Sequence, residues 1–122
     1  MISITLPWPP SFNHYWRHVG QKVLISAKGR AYRKAVGDAV LMSVRGARPL
    51  TDRLSVRIEA QPPDRRTRDL DNLLKAPADA LTHAGLWEDD GQIDELTIVR
   101  LSPTPGGLLR VVVSPITDRI AA

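Results

Sequence analysis

The chain has 122 residues, of which 43% are hydrophobic and none is cysteine. This length predicts one compact domain, residues 1–122, with a single hydrophobic core. The lack of cysteine excludes disulfides, thiolate metal sites and a cysteine nucleophile, so any metal must be held by oxygen or imidazole ligands. There is no run of 18 apolar residues and no basic leader before a long apolar segment, which predicts a cytoplasmic protein with no membrane partner.

Charge is divided unevenly along the chain. Residues 1–68 hold 13 of the 17 Lys and Arg but only 4 of the 13 Asp and Glu, so this part carries +9 and the remainder −5. A basic body beside an acidic cluster is typical of proteins that attract a polyanion and hold a metal ion close to it. The alternative is a solvated surface whose charges happen to be uneven.

The first half of the chain predicts a strand, a loop and a helix. Ile2–Leu6 alternates apolar and polar residues, which is typical of a short strand. The prolines of the next segment, Pro7–His18, predict a loop whose aromatic and basic side chains could lie against nucleobases or sugars. Alternatively, its aromatic side chains cover the edge of the core. Ser26–Arg45 predicts an amphipathic helix with Ser26 as its N-cap.

The next elements are a second strand and a second helix. Leu54–Ala60 alternates apolar and polar residues, which predicts a strand with one wet face. A 3.6-residue apolar period predicts a helix over residues 71–84. Pro77 would interrupt the hydrogen bonds inside this helix, which predicts either a kink or a true start nearer Ala76.

The chain ends with two β-rich runs, residues 95–101 and 108–114, which are predicted to pair as a hairpin with a longer loop. The element order is then β-α-β-α-β-β. This order predicts an α/β fold of the α+β type, a single domain in which two helices pack on a small mixed β-sheet.

Two groups of carboxylates follow the basic part of the chain. The first lies in the run Arg68-Asp69-Leu70-Asp71-Asn72, with Lys75 one helical turn beyond it, and the second is the pair Asp89-Asp90. Hard oxygen ligands suit Mg²⁺, which is usually held by one or two carboxylates together with substrate phosphate oxygens. These residues indicate metal-assisted phosphodiester chemistry. The alternative is that an aspartate caps the helix and that Asp71 and Lys75 form an ordinary surface ion pair.

These motifs resemble the RusA family of Holliday-junction resolvases. The resemblance is carried by the run from Asp64 to Asn72, by Lys75-Ala76, Asp79-Ala80-Leu81-Thr82 and Ala84-Gly85, and by Asp89-Asp90 with Gln92. The N-terminus is also similar, in the run from Ser3 to Ser11 and at Asn13, Tyr15 and Arg17. Pro77 and Thr67 depart from the family pattern.

The resemblance implies that Asp69, Asp71 and Asp90 are the metal-binding catalytic acids and that Lys75 is the essential cation. Register favours Asp90 over its neighbour Asp89 as the third acid. The acids should then lie within a few ångströms of one another, consistent with Mg²⁺–oxygen distances of about 2.0–2.1 Å. The other nearby acids, Asp79 and Glu88, receive no role.

Seven residues are expected to contact DNA. Three are the arginines of the loop before the acids, which would hold flanking phosphates and contribute affinity rather than sequence choice. The others lie next to the acids or in the similar N-terminal run. The set is Arg65, Arg66, Arg68, Asn72, Asn13, Tyr15 and Arg17.

The expected protein is a Mg²⁺-dependent endonuclease that resolves four-way DNA junctions during recombination and repair, with Mn²⁺ as a substitute metal and no organic cofactor. Paired symmetric nicks require a homodimer with two-fold symmetry. The protein would be cytoplasmic and nucleoid-associated when acting, and prophage and chromosomal origins are both open. Two alternative functions also stay open: a catalytically idle protein that binds junctions, and a metal-dependent phosphohydrolase that acts on nucleotides.

Overall fold

The computed structural model of the protein describes residues 1–46 and 48–116. Its strands are β1 (Ile2–Pro7), β2 (Trp16–Val19), β3 (Lys22–Ile25), β4 (Leu54–Gln61), β5 (Ile93–Arg100) and β6 (Leu108–Pro115). Its α-helices are α1 (Phe12–Tyr15), α2 (Ala27–Ser43) and α3 (Lys75–His83), and its 3₁₀ helices are Leu70–Leu73 and Asp90–Gln92. Among these helices none is both long enough and apolar enough to cross a membrane.

Four strands form a mixed sheet in the order β1-β6-β4-β5. β6 runs antiparallel to both of its neighbours, whereas β4 and β5 are parallel. Parallel neighbours need a crossover connection, and the segment containing α3 supplies it. The predicted fold class, with helices packed on a small mixed sheet, is confirmed.

The predicted hairpin between the last two strands is wrong, because β4 lies between β5 and β6. The segment joining them crosses the end of β4 and is held there by the backbone. Leu101 N–H donates to the Ala60 carbonyl at 2.8 Å, and Thr104 N–H donates to the Pro62 carbonyl at 2.9 Å. Alternation of apolar and polar residues predicts that a segment is a strand, but it does not predict which strand it pairs with.

The core lies between one face of the sheet and the helices. β4 places four apolar side chains on this face, and α2 adds apolar side chains at i+4 spacing. These buried residues are Leu54, Val56, Ile58, Ala60, Tyr32, Val36 and Val40. The opposite face is polar: Glu59 on β4 pairs with Arg57 at 3.2 Å and with Arg110 at 3.3 Å.

Of the two longer helices, α2 begins where the sequence predicts and α3 begins later than predicted. α2 agrees with its prediction, since the Ser26 hydroxyl oxygen accepts a hydrogen bond from Gly29 N–H at 3.0 Å and so caps the helix. α3 begins at Lys75 rather than at residue 71, which instead lies in the first 3₁₀ helix. Pro77 is thus the third residue of α3, where a backbone N–H has no partner inside the helix. The start near Ala76 is the outcome observed.

The N-terminal segment has more regular structure than a loop. α1 and most of β2 fall inside Pro7–His18, and β2 pairs with β3 as a separate two-stranded antiparallel sheet. The loop prediction is therefore wrong beyond Ser11. Its prolines all lie before that residue, and a proline restricts only its own backbone and that of the residue before it.

Candidate active site

Asp69 and Asp71 occupy the start of the first 3₁₀ helix. Asp69 has an extended backbone at the N-cap position, but its carboxylate makes no capping hydrogen bond. Asp71 lies in the first turn, and neither it nor Lys75 forms an ion pair with any residue in the described part of the chain. Capping and the surface ion pair, the two structural explanations for these acids, are both absent. The carboxylates are exposed and available to a ligand.

The second pair of acids divides into a structural and a free carboxylate. Asp89 caps the second 3₁₀ helix: its side chain accepts a hydrogen bond from the backbone of Gln92, and the Gln92 side chain accepts one from Asp89 N–H at 2.9 Å. Asp90 is exposed, and its side chain has no partner among residues 1–46 and 48–116. This division supports the choice of Asp90 as the third acid.

Gln92 holds the turn that carries Asp90 against the rest of the protein. Besides its bond to Asp89, its side-chain oxygen accepts a hydrogen bond from Glu88 N–H at 2.9 Å. Its side-chain amide donates to the carbonyls of Leu50 and Asp52 at 3.0 and 2.9 Å. The sequence motif contains Gln92, but the role of its amide becomes visible only with these partners in place.

The predicted site residues line two open clefts, each of about 340 Å³. Asp69, Asn72, Arg68 and Thr67 line the first together with Trp8, Pro9, Ser11 and Leu73. Lys75 and Asp90 line the second together with Leu74, Ala78, Gly91, Ile93, Asp94 and Leu96. Asp71 lies between Asp69 and Asn72 on the first 3₁₀ helix, but its side chain is not part of the lining of either cleft.

The expected convergence of Asp69, Asp71 and Asp90 is not observed. Across the residues that the structure describes, no three Asp, Glu or His side chains are grouped so that they could hold a metal ion. Like-charged carboxylates repel one another, and these exposed side chains have no partner within residues 1–46 and 48–116 that would fix their rotamers. The donor chemistry nevertheless fits a hard divalent cation, since every candidate ligand is an ionisable carboxylate.

The arginines of the basic loop differ in their availability. Arg68 lies over the Trp8 ring, 5.7 Å from its centroid, and binds the Asp64 carboxylate at 2.8 Å. This hydrogen bond, with a second from Arg66 N–H, lowers the pKa of Asp64 to about 2. Arg65 is exposed and has no partner in the described residues. Arg68 therefore holds the loop in place, whereas Arg65 is free to contact a phosphate.

Tyr15 is not the surface contact that the sequence predicts. Its side chain is fully buried, and its hydroxyl donates a hydrogen bond to the Asp79 carboxylate. Arg33 donates two hydrogen bonds to the same carboxylate oxygen, at 2.9 and 2.8 Å. Burial, followed by the hydrogen bond to Asp79, raises the pKa of Tyr15 to about 12. The assignment of Tyr15 to DNA binding is wrong for this structure, whereas Asn13 and Arg17 are exposed as expected.

Asp79 is the residue that sequence reasoning missed. It joins α3 to α1 and α2 through Tyr15 and Arg33. A signal was present, because Asp79 interrupts the otherwise apolar run from Ala76 to Leu81, all of which is buried apart from Asp79 itself. A carboxylate inside a buried stretch is expected to have a cationic or hydrogen-bonding partner.

The mixed sheet, the unpartnered aspartates and the exposed basic side chains together indicate an enzyme that acts on nucleic acid. The model of the family described as endodeoxyribonuclease RusA matches residues 7–114, and the chain belongs to this family. The expected family, and with it the expectation of a nuclease, is confirmed.

Curated relatives resemble the chain over nearly its whole length. A protein of Escherichia coli strain K12 named crossover junction endodeoxyribonuclease RusA is 45% identical over 115 residues, which is 92% of each chain. Proteins of the same name are 46% identical in Shigella sonnei, over 92% of each chain, and in Enterobacteria phage 82, over 91% of this chain and 92% of the phage protein. The relatives therefore come from both bacteria and a bacteriophage.

Proposed function

We propose that this chain is a Mg²⁺-dependent, structure-selective endonuclease that resolves Holliday junctions by paired symmetric nicks. The observation that carries the proposal is the state of the acids: Asp69, Asp71 and Asp90 are exposed and lack partners among the described residues. The neighbouring Asp64 and Asp89, by contrast, are occupied by structural hydrogen bonds. The names of the similar proteins support four-way junctions as the substrate.

The three acids would hold the metal, with Mn²⁺ as a working substitute. Bound there, Mg²⁺ would supply the Lewis-acid chemistry that orients a water for in-line attack on phosphorus and neutralises the leaving oxygen. Lys75 lies on the first turn of α3 with no partner in the described chain, so its ammonium can stabilise the charge that builds on the phosphoryl oxygens. No organic cofactor is needed for this chemistry.

The basic side chains around the acids would bind the flanking DNA. Arg65 and Arg66 are exposed, and Arg66 forms a weak ion pair with Asp64, at 3.2 Å. Asn72 shares a cleft with Asp69 and could donate to a phosphate oxygen beside the acids. Such contacts position the backbone without reading sequence, which suits an enzyme that recognises the shape of a junction.

The proposed active form is a homodimer. A four-way junction has two-fold symmetry, and its resolution requires matched cuts in opposing strands, whereas one chain carries one set of acids. Apolar side chains outside the core, including Leu41, Met42 and Leu96, are exposed in the single chain and offer surface for association. The expected setting is DNA recombination and repair in the cytoplasm, at the nucleoid.

The proposal is tested by neutralising one acid. Asp71→Asn should retain binding to a four-way junction and abolish its Mg²⁺-dependent cleavage, because it removes a metal ligand and little else. The matched control is Asp38→Asn on α2, an exposed carboxylate whose ion pair with Lys34 spans 3.5 Å. If Asp71→Asn cleaves at the rate of the control, the assignment of Asp71 to the active site would be wrong.

The same assay separates the alternatives. The purified protein would be treated with a chelator and titrated with Mg²⁺ on a junction, on a linear duplex and on mononucleotides. A binding protein without activity gives no metal-dependent product on any of them. A nucleotide phosphohydrolase hydrolyses mononucleotides and shows no preference for branched DNA.

A further inference from the structure

The β2–β3 hairpin is a separate structural unit. Its strands pair with each other and with no strand of the main sheet, and the turn between them begins at Gly20, whose φ is +61°. Every residue from Arg17 to Leu24 is exposed. The hairpin is therefore available to a partner along most of its length.

The exposed residues of the hairpin combine positive charge with apolar side chains. The first 37 residues of the chain contain six Lys and Arg and no Asp or Glu. Arg17 and Lys22 on the hairpin form no ion pair or side-chain hydrogen bond with any described residue. Val19 pairs with Lys22 and Leu24 pairs with Arg17, so all four side chains lie on one face of the hairpin. Val19 is 48% exposed and Leu24 is 39% exposed. An acidic protein surface could match the charge, but an apolar tip between cations better fits a polyanion with exposed apolar faces.

The base of the hairpin is fixed to the body of the protein. Ser26 N–H and the Ser26 hydroxyl both donate to the Tyr15 carbonyl, at 2.9 and 2.8 Å, which joins the two ends of the hairpin. Gly29 packs so closely that a Cβ there would lie 2.4 Å from the Tyr15 carbonyl oxygen. The Tyr15 hydroxyl binds Asp79, one helical turn beyond Lys75 on α3. The hairpin thus extends from a rigid base that is connected to the candidate active site.

We propose that the β2–β3 hairpin is a DNA-contacting arm that recognises the branch point of a junction. Arg17 and Lys22 bind phosphates, and the apolar tip, Val19 and Leu24 on the same face, lies against bases that are unstacked at the branch. Proteins that kink DNA use apolar side chains between base steps in this way, at a cost in stacking that is smallest where stacking is already interrupted. The choice of a branch point rests on the function proposed above, whereas the contact with DNA does not.

The charged contacts are tested by Arg17→Ala combined with Lys22→Ala. Without divalent metal, this variant should bind both junction and duplex roughly tenfold to a hundredfold more weakly at about 0.1 M salt. The slope of the logarithm of the binding constant against the logarithm of the salt concentration should fall in magnitude by about 1.8, because each phosphate contact contributes about 0.9. The matched control, Arg45→Ala with Arg48→Ala, removes two exposed cations beyond the far end of α2 and should bind almost as tightly as wild type. Equal losses in the two variants would overturn the proposal.

The apolar tip is tested by Val19→Ser combined with Leu24→Ser. These exposed substitutions should leave duplex affinity close to wild type and reduce the preference for junction over duplex. An unchanged preference would exclude contact between the tip and the branch point. Circular dichroism and the thermal midpoint of each variant would establish that it is folded.

Proximity is tested directly by a cross-link, because the chain contains no cysteine. Gln21→Cys at the turn, coupled to a benzophenone, should cross-link to junction strands near the branch, whereas Arg45→Cys should not. If Gln21→Cys cross-links no more than the control, the proposal that the hairpin contacts DNA would be overturned. If labelled Gln21→Cys cross-links and wild type binds as expected, but wild type never cleaves with Mg²⁺, the proposed function fails and the DNA-contacting arm stands.

Discussion

The Tyr15 hydroxyl donates a hydrogen bond to the Asp79 carboxylate, 64 residues later in the chain. The bond joins α1, at the base of the β2–β3 hairpin, to α3, which carries Lys75. Arg33 on α2 completes the cluster with two hydrogen bonds to the same carboxylate. Three helices are therefore held together by one partly buried acid.

Asp79→Asn should lower the free energy of unfolding by about 1–3 kcal/mol, because it leaves the partly buried Arg33 guanidinium without its charged acceptor. Urea denaturation measures this change. Asp38→Asn, which removes an exposed carboxylate on α2, should change the free energy of unfolding by no more than about 0.5 kcal/mol. A similar small change for Asp79→Asn would show that the cluster contributes little to stability.

Alkaline pH should weaken the fold through Tyr15. Its pKa is raised from 10.0 to about 12 in the folded protein, chiefly by burial. In the unfolded chain the hydroxyl ionises at lower pH, so stability from this group is complete below pH 10 and is lost as the pH rises towards 12. The free energy of unfolding, measured by urea denaturation across this range, should fall less steeply in Tyr15→Phe than in wild type. Identical slopes of unfolding free energy against pH in the two proteins would contradict the raised pKa of Tyr15. The pKa of Tyr32 is also raised, so some pH dependence of stability should remain in both proteins.

Two glycines of α2 should respond oppositely to alanine. A Cβ at Gly29 would lie 2.4 Å from the Tyr15 carbonyl oxygen and 2.7 Å from Ile25 Cγ1, so Gly29→Ala should destabilise the protein by about 1–3 kcal/mol through overpacking. A Cβ at Gly37 would meet nothing within 4 Å. Gly37→Ala should therefore stabilise the helix by about 0.5–1 kcal/mol. Thermal or urea denaturation of the two variants measures the change in the free energy of unfolding for each. Stabilisation by both substitutions would show that the hairpin base is loosely packed.

Gln92→Ala should reduce junction cleavage while leaving junction binding intact. The Gln92 side chain makes four hydrogen bonds that hold the turn before β5, so its loss should let Asp90 move. A displacement of about 1 Å at a catalytic group can reduce the rate by about 10²-fold. Single-turnover cleavage and junction affinity would be measured beside Gln61→Ala, whose amide makes one exposed hydrogen bond to Ser102. Equal cleavage by the two variants would exclude a positioning role for Gln92.

Local sequence determined much of the fold. The N-cap and i+4 apolar spacing predicted α2, and strict alternation predicted β4, because both signals depend on neighbours within one or two turns of the chain. The motif around Asp69, Asp71 and Lys75 likewise indicated the family, since its residues are close in sequence. These features can be predicted without knowing which distant segments pack together.

Tertiary structure decided the rest, because it depends on contacts between distant residues. The insertion of β4 between β5 and β6, the burial of Tyr15 and the partners of Asp79 and Gln92 all join segments that no local period connects. Register in the motif favoured Asp90 over Asp89, and the folded chain supplies the physical difference: Asp89 caps a 3₁₀ helix, whereas Asp90 has no partner among the described residues. Two adjacent aspartates are chemically equal in sequence, and their different backbone positions make one structural and leave the other free.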